Sequence, residues 1–112
     1  MILQRSAWLS AGLLLAGACL TTSALAADAT AGRQKAAACA VCHGPLGLST
    51  VPDAPNLAGQ PALYVATQLR AYRGGARQHE VMSLMAKPLS DADIEDLAAW
   101  FSSLKIQVQP VP

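Results

Sequence analysis

Two cysteines and a histidine stand together in the segment Cys39-Ala40-Val41-Cys42-His43. This C-x-x-C-H spacing is typical of covalent c-type haem attachment. Two cysteines three positions apart lie on one face of a helical turn, where both reach the haem vinyl groups as thioethers. The adjacent His43 then points its imidazole at the iron. The motif therefore predicts one haem c, bound through Cys39 and Cys42, with iron ligated by His43.

Two other kinds of site use the same residue types. A thioredoxin-like redox pair requires a βαβ setting, and the sequence pattern provides none. A zinc site requires four ligands, and Cys39, Cys42, His43 and His79 are a possible set. The helical residues around Cys39 favour haem, while zinc binding and thiol redox chemistry stay as alternatives.

The iron needs a sixth ligand opposite the histidine. A methionine in that position raises the reduction potential and suits electron transfer. Met82, Met85 and His79 are the candidates, and all lie in a loop predicted between the second and third helices. The ordinary roles are core filling for a methionine and a solvated surface position for a histidine. Residue types alone do not choose between two methionines three positions apart.

Three helices are predicted to position these residues. The first covers 29–41, and a long loop rich in glycine and proline follows over 44–60. The second helix begins near Pro61, which suits a first helical position, and ends at Gly74-Gly75. The third follows Ser90, which forms a capping box with Asp93 at the third helical position. Since no segment alternates as a strand does, the predicted fold class is all-α.

The first 26 residues are predicted to be a signal peptide. Arg5 supplies a short basic region, an apolar run covers 7–20, and Ala24-Leu25-Ala26 is a small-x-small cleavage site. The apolar run is short for a membrane span, which needs about 20 residues. We therefore expect export to the periplasm, with a signal peptide over 1–26 and a haem domain over 27–112.

Cys19 offers an alternative to this processing. The segment from Leu15 to Cys19 loosely resembles a lipoprotein signal, in which the cysteine is acylated. Lipidation there would attach the protein to a membrane, and no other membrane contact is expected.

The formal net charge is +1 and no basic block occurs, so the sequence does not predict nucleic-acid binding.

Further matches extend over most of the chain after residue 26. They comprise Ala31-Gly32, Cys39–Gly44, Pro55–Gln60, Tyr64, Gln68-Leu69, Tyr72–Gly75, Met82–Met85 and Leu89–Phe101. On these residues the sequence resembles small bacterial class I cytochromes c, and in particular one half of the dihaem periplasmic type. The resemblance implies a class I cytochrome c fold, with three or more helices wrapped around one haem.

The resemblance also implies roles for individual residues. In that family the iron-ligating methionine stands seven residues before the leucine that precedes the helix-starting serine, and Met82 holds this position. In the same family a proline carbonyl in the loop after the C-x-x-C-H motif accepts a hydrogen bond from the ligating histidine. Pro55 matches this position best, with Pro52 as the alternative. Gly32 and Trp100 correspond to a contact between the first and last helices, where the family more often has tyrosine than tryptophan.

The function implied is that of an electron carrier and not of an enzyme. Its iron alternates between ferrous and ferric states with His43 and Met82 bound in both, and transient partners are an oxidase, a reductase or a dehydrogenase. The protein is expected to be a monomer or a weak dimer. Two alternatives stay open: a ligand-binding or sensing cytochrome with an open sixth position, and an electron-entry domain of a larger complex.

Overall fold

The computed structural model describes residues 26–112, and within this range the regular structure is entirely helical. The predicted all-α class is therefore confirmed for this part of the chain. Apart from Ala26, the predicted signal peptide, with Arg5 and Cys19, lies outside the described residues. No helix within 26–112 is long and apolar enough to cross a membrane. The helices are α1 (Ala29–Lys35), α2 (Ala40–His43), α3 (Ala62–Gly74), α4 (Glu80–Ala86) and α5 (Asp91–Ser103).

The helix predicted over 29–41 is divided in the structure. Helix α1 ends at Lys35, Ala36–Ala38 form a turn of 3-10 helix, and α2 continues to His43. The tighter turn is closed by the Cys39 amide, which donates to the carbonyl of Ala36 over 2.9 Å. Ala36 is buried in the core, so packing rather than helix propensity accounts for the tighter turn just before the cysteines.

Helix α5 forms the centre of the core. Its apolar residues recur at three- and four-residue intervals, as one buried helix face requires, and helices α1 and α3 both pack against it. The buried cluster consists of Ala36, Val65, Ala66, Ile94, Leu97, Ala98 and Phe101. The predicted capping box at the start of α5 is confirmed, because Asp93 and Ser90 exchange side-chain and backbone hydrogen bonds.

Gly32 permits the close crossing of α1 and α5. A Cβ atom placed on Gly32 would stand 1.9 Å from the backbone oxygen of Asp96 and 2.9 Å from the Cβ of Trp100. Only a residue without a side chain fits between these two backbones. The predicted contact of Gly32 with Trp100 is therefore confirmed, with the Asp96 backbone as an additional and closer neighbour.

A loop was predicted between α3 and α5, but part of this segment is helical. Met82 and Met85 lie on α4, a helix of seven residues that packs against α3. Gly75, in a left-handed conformation with φ of 83°, ends α3 as predicted. Helix α4 begins because His79 caps it with its side chain, and histidine is not among the preferred N-cap residues.

The loop predicted over 44–60 is confirmed, because α2 ends at His43 and α3 begins at Ala62. It returns to the core at Ala58, which is buried. The amide of Gly59 donates to the carbonyl of Phe101 over 2.9 Å. The loop therefore runs from the C-x-x-C-H motif to the end of α5, and this path brings its middle part beside His43.

Candidate haem site

The two cysteines occupy the turn between the 3-10 segment and α2. Both are free thiols and both are half-buried. The amides of Cys42 and His43 converge on the carbonyl of Cys39, at 3.3 and 2.9 Å. This single helical turn holds the two sulfur atoms and the imidazole in a fixed relation to one another.

The ring of His43 is oriented by a backbone carbonyl. His43 is buried, with 6% of its surface exposed, and its Nδ1 lies 2.8 Å from the carbonyl oxygen of Pro55. A carbonyl only accepts hydrogen bonds, so in the neutral imidazole the proton is on Nδ1 and the lone pair is on Nε2. This is the tautomer that a metal-ligating histidine needs, and the partner is Pro55 and not Pro52.

Polar side chains hold the Pro55 carbonyl in place. Ser49 Oγ donates to the carbonyl of Cys42 over 2.8 Å, and the Ser49 amide donates to Asn56 Oδ1 over 2.7 Å. Ser49 thus joins the loop to the C-x-x-C-H motif through Cys42, and it joins the two sides of the loop through Asn56, the residue after Pro55. The sequence alone assigns no role to Ser49 or Asn56, although Asn56 lies in the matched segment Pro55–Gln60.

Gly44 turns the chain immediately after the motif. Its φ of 79° lies in the left-handed region, and a Cβ atom there would stand 2.0 Å from the carbonyl oxygen of Leu48. The glycine therefore allows the loop to fold back directly over the last turn of α2. The exposed apolar residues Val41, Leu46 and Leu48 surround this turn.

The three candidates for the sixth ligand lie on or next to α4. His79 is the N-cap residue of this helix, and Met82 and Met85 lie within it. Met82 is half-buried, whereas Met85 is 39% exposed. His79 is exposed, and its Nδ1 accepts hydrogen bonds from the amides of Val81 and Met82. Helix α4, which carries both methionines, packs against α3, whereas α1, which leads to the cysteines, packs against α5.

The chemistry of the donor set fits haem better than the alternatives. Within residues 26–112, no group of three or more His, Cys, Asp or Glu side chains is arranged to hold a metal ion by itself. Burial raises the pKa of the Cys39 thiol, whereas a thiol active in disulfide exchange has a lowered pKa. A buried imidazole with a free Nε2 beside two unpaired thiols suits a group that binds covalently and offers its own iron.

The sequence profile of the cytochrome c family matches residues 29–105. The chain belongs to the cytochrome c family. Its fold is the class I cytochrome c fold, and it resembles the structure of reduced recombinant cytochrome c4 from Pseudomonas stutzeri with a TM-score of 0.67 and 44% sequence identity. That match covers 71% of this chain and 47% of the other.

Curated relatives agree with this assignment. Cytochrome c-554(548) of Halomonas halodenitrificans is 46% identical over 81 residues, which are 70% of this chain and 98% of that protein. The thiosulfate dehydrogenase electron acceptor of Thiomonas intermedia is 49% identical over 80 residues, which are 70% of this chain and 36% of that protein. This cytochrome therefore matches almost all of the first relative and little more than a third of the second.

Family membership assigns the cofactor and the activity. The cytochrome carries haem c, with Cys39 and Cys42 in the positions of the thioether-forming cysteines. When bound, the haem iron supplies a one-electron couple between ferrous and ferric states. The protein functions in electron transfer. Its own residues contribute a single helical turn that holds the two sulfur atoms and an imidazole oriented by the Pro55 carbonyl.

Proposed function

We propose that this cytochrome c is a one-electron carrier of the periplasm whose haem iron is ligated by His43 and Met82. The observation that carries this proposal is the 2.8 Å hydrogen bond between His43 Nδ1 and the Pro55 carbonyl. It holds the ring in the tautomer that offers Nε2 to a metal and makes the imidazole a stronger donor. A fixed histidine of this kind suits a site that changes its charge without changing its ligands.

The partial burial of Met82 supports it over Met85 as the sixth ligand. Met82 is half-buried in the first turn of α4, whereas Met85, one turn later, is 39% exposed. The less exposed methionine is better shielded from water, which competes for the same position on the iron. Met82 also stands seven residues before Leu89, the position that the resemblance implied.

The ligand set is tested by absorption spectroscopy of the haem-loaded protein. Met82→Ala is expected to abolish the weak far-red sulfur-to-iron band of the ferric form, and Met85→Ala, the matched control on the same helix, is expected to keep it. Carbon monoxide should bind the ferrous Met82→Ala protein readily and the wild type poorly. A wild type without the sulfur-to-iron band would instead favour a ligand-binding cytochrome.

Export is the second part of the proposal. We infer that cleavage follows Ala26, so that the domain over 27–112 contains the whole family match at 29–105. Mass spectrometry of the protein purified from the periplasm is expected to give an N-terminus at Ala27. A mass that includes a lipid on Cys19 would replace this processing with membrane attachment.

The partners are proposed to be redox proteins that dock near the cysteines. Val41, Leu46 and Leu48 are 83, 56 and 54% exposed, which gives the surface around α2 an apolar character suited to a small and transient contact. Two relatives are named thiosulfate dehydrogenase electron acceptors. We therefore propose a dehydrogenase that oxidises a sulfur compound as one candidate donor.

A charge placed on this surface tests the docking proposal. Leu48→Lys is expected to slow reduction by thiosulfate dehydrogenase with thiosulfate about tenfold, since a buried unpaired charge opposes association. Reduction by ascorbate, which needs no protein contact, is expected to stay unchanged. Val108→Lys, an equally apolar exposed position in the C-terminal tail, is the matched control. Equal rates for Leu48→Lys and wild type with the dehydrogenase would contradict docking at this surface.

A further inference from the structure

We propose that His79 is a positioning residue for Met82: its imidazole caps α4 and thereby holds the methionine backbone in place for the iron. This inference rests on the proposed ligation by Met82 and adds a residue that acts through it. His79 does not bind the iron in this proposal. Its ring supports the helical turn from which the sulfur side chain extends.

The hydrogen bonds of His79 define its role. Its Nδ1 stands 3.2 Å from the amide nitrogen of Val81 and 3.3 Å from that of Met82. Backbone amides only donate, so Nδ1 is the acceptor of both hydrogen bonds and carries no proton. The backbone of His79 is extended, with φ of −158° and ψ of 137°, as an N-cap residue requires. The capped amides include that of Met82 itself.

A second hydrogen bond completes the cap from the other direction. The amide of His79 donates to Ser83 Oγ over 3.1 Å. In an ordinary capping box this acceptor belongs to the third helical residue, as Asp93 shows in α5. In α4 the third helical residue is Met82, whose side chain is a thioether. In α4 the acceptor of the N-cap amide is instead Ser83, the residue after Met82. The reciprocal pair of hydrogen bonds that defines a capping box is therefore still present.

Helix α4 has few other sources of stability. It contains seven residues, and only Ala86 is buried, while isolated helices shorter than about 12 residues are marginal in water. Among the described helices it packs extensively only against α3. An N-cap therefore supplies a larger share of its stability than a cap does in α5, which buries four residues in the core.

The cap and the iron–sulfur bond are expected to support each other. If the first turn of α4 unravelled, Met82 would leave the iron and an external ligand could take its place. The apparent affinity for that ligand rises with the fraction of molecules in the open form. A residue that stabilises the first turn lowers this fraction, although it contacts neither the haem nor the external ligand.

Cyanide binding to the ferric, haem-loaded protein measures the open fraction. His79→Ala is expected to bind cyanide about fivefold more tightly than the wild type, the factor that loss of a typical N-cap gives. His79→Asn is expected to restore the wild-type affinity, because asparagine is among the best N-cap residues. Ser83→Ala, which removes only the reciprocal acceptor, is expected to have a smaller effect in the same direction and serves if His79→Ala fails to load haem.

Ser90→Ala supplies the matched control. It removes the N-cap of α5, which bears no proposed ligand, so it is expected to lower the stability to denaturant while leaving cyanide affinity unchanged. Wild-type affinity in both His79→Ala and Ser83→Ala would overturn the inference, as would failure of His79→Asn to restore it. Met82→Ala distinguishes failure of the inference from failure of the ligation on which it rests. If Met82→Ala binds cyanide no more tightly than the wild type, Met82 is not the ligand and both proposals fall; if Met82→Ala binds more tightly and the His79 and Ser83 variants do not, only the inference falls.

Discussion

His43 donates its Nδ1 proton to the carbonyl oxygen of Pro55 over 2.8 Å. The bond leaves a buried imidazole with one nitrogen committed to the protein and the other free. Such a contact increases the electron density of the ring and so favours the more positive state of a bound metal. We therefore expect the loop that carries Pro55 to influence the reduction potential of the haem as well as the orientation of His43.

Loosening this loop is expected to raise the reduction potential. Asn56→Ala removes the acceptor that braces the loop at the Ser49 amide, and Pro55→Ala frees the backbone at the carbonyl itself. A net hydrogen bond contributes about 1 kcal/mol, and about 59 mV corresponds to tenfold for one electron. We therefore expect an increase of up to about 40 mV, measured by spectroelectrochemical titration.

Pro52→Ala is the matched control for this prediction. Pro52 lies in the same loop, but the carbonyl that contacts His43 is that of Pro55. The control is expected to leave the potential at its wild-type value. An equal shift in Pro52→Ala and Pro55→Ala would mean that general loop rigidity, and not the contact with His43, sets the potential.

The close crossing of α1 and α5 gives a second prediction. Gly32→Ala would place a methyl group against the Asp96 backbone, and backbone at a helix crossing cannot yield as a flexible side chain does. Overpacking of this kind typically costs about 1–3 kcal/mol. The free energy of unfolding of the haem-loaded protein, measured by guanidinium denaturation, is expected to fall by about 1–3 kcal/mol or more.

Gly74→Ala provides the opposite case within the same chain. Gly74 lies in the last turn of α3, and a Cβ atom there meets no atom within 4 Å. Alanine is the better helix former by up to about 1 kcal/mol. This variant is expected to be as stable as the wild type or slightly more stable. A similar loss in both variants would point to a general intolerance of side chains at glycine positions.

Much of the fold could be predicted because its signals are local. The capping box of Ser90 and Asp93 depends on two residue types at a fixed spacing, and Gly75 ends α3 because it adopts a left-handed conformation at no cost. The C-x-x-C-H motif is equally local. Each of these features is decided by residues within one helical turn of one another.

The features that were not predicted depend on contacts between distant residues or on unusual residue choices. The alanines before Cys39 favour a continuous helix, and the 3-10 turn arises where Ala36 enters the core formed with α5. Helix α4 lies in a segment that the sequence predicts to be a loop, because its cap is His79, which is not among the preferred N-cap residues. The spacing of Val81, Met82, Met85 and Ala86, which suits one helix face, was the signal that could have found it.

Acid sensitivity at the start of α1 gives the third prediction. The amide of Asp28 donates to Asp96 Oδ1 over 2.8 Å, and Lys35 lies 3.2 Å from Oδ2. The hydrogen bond from Asp28, followed by the ion pair with Lys35, lowers the pKa of Asp96 below its usual value. A carboxylate whose pKa is lower in the folded protein adds stability above its unfolded pKa, and this stability is lost as the pH falls through the folded value. The free energy of unfolding is therefore expected to decline below about pH 4.

Asp96→Asn tests this assignment. The variant keeps a side-chain oxygen for the Asp28 amide but cannot be protonated, so its unfolding free energy is expected to be lower at neutral pH and to vary less between about pH 5 and pH 2. Asp53→Asn, at an exposed position in the long loop, is the control and is expected to follow the wild-type profile.

Because α1 leads directly to the cysteines, the same titration followed by haem absorption should show that the α1–α5 contact and the haem environment are lost together. If the wild type and Asp96→Asn lost stability in parallel as the pH fell, the acid-sensitive contact would lie elsewhere, with Asp93, whose pKa is lowered by its hydrogen bonds with Ser90, as the next carboxylate to test.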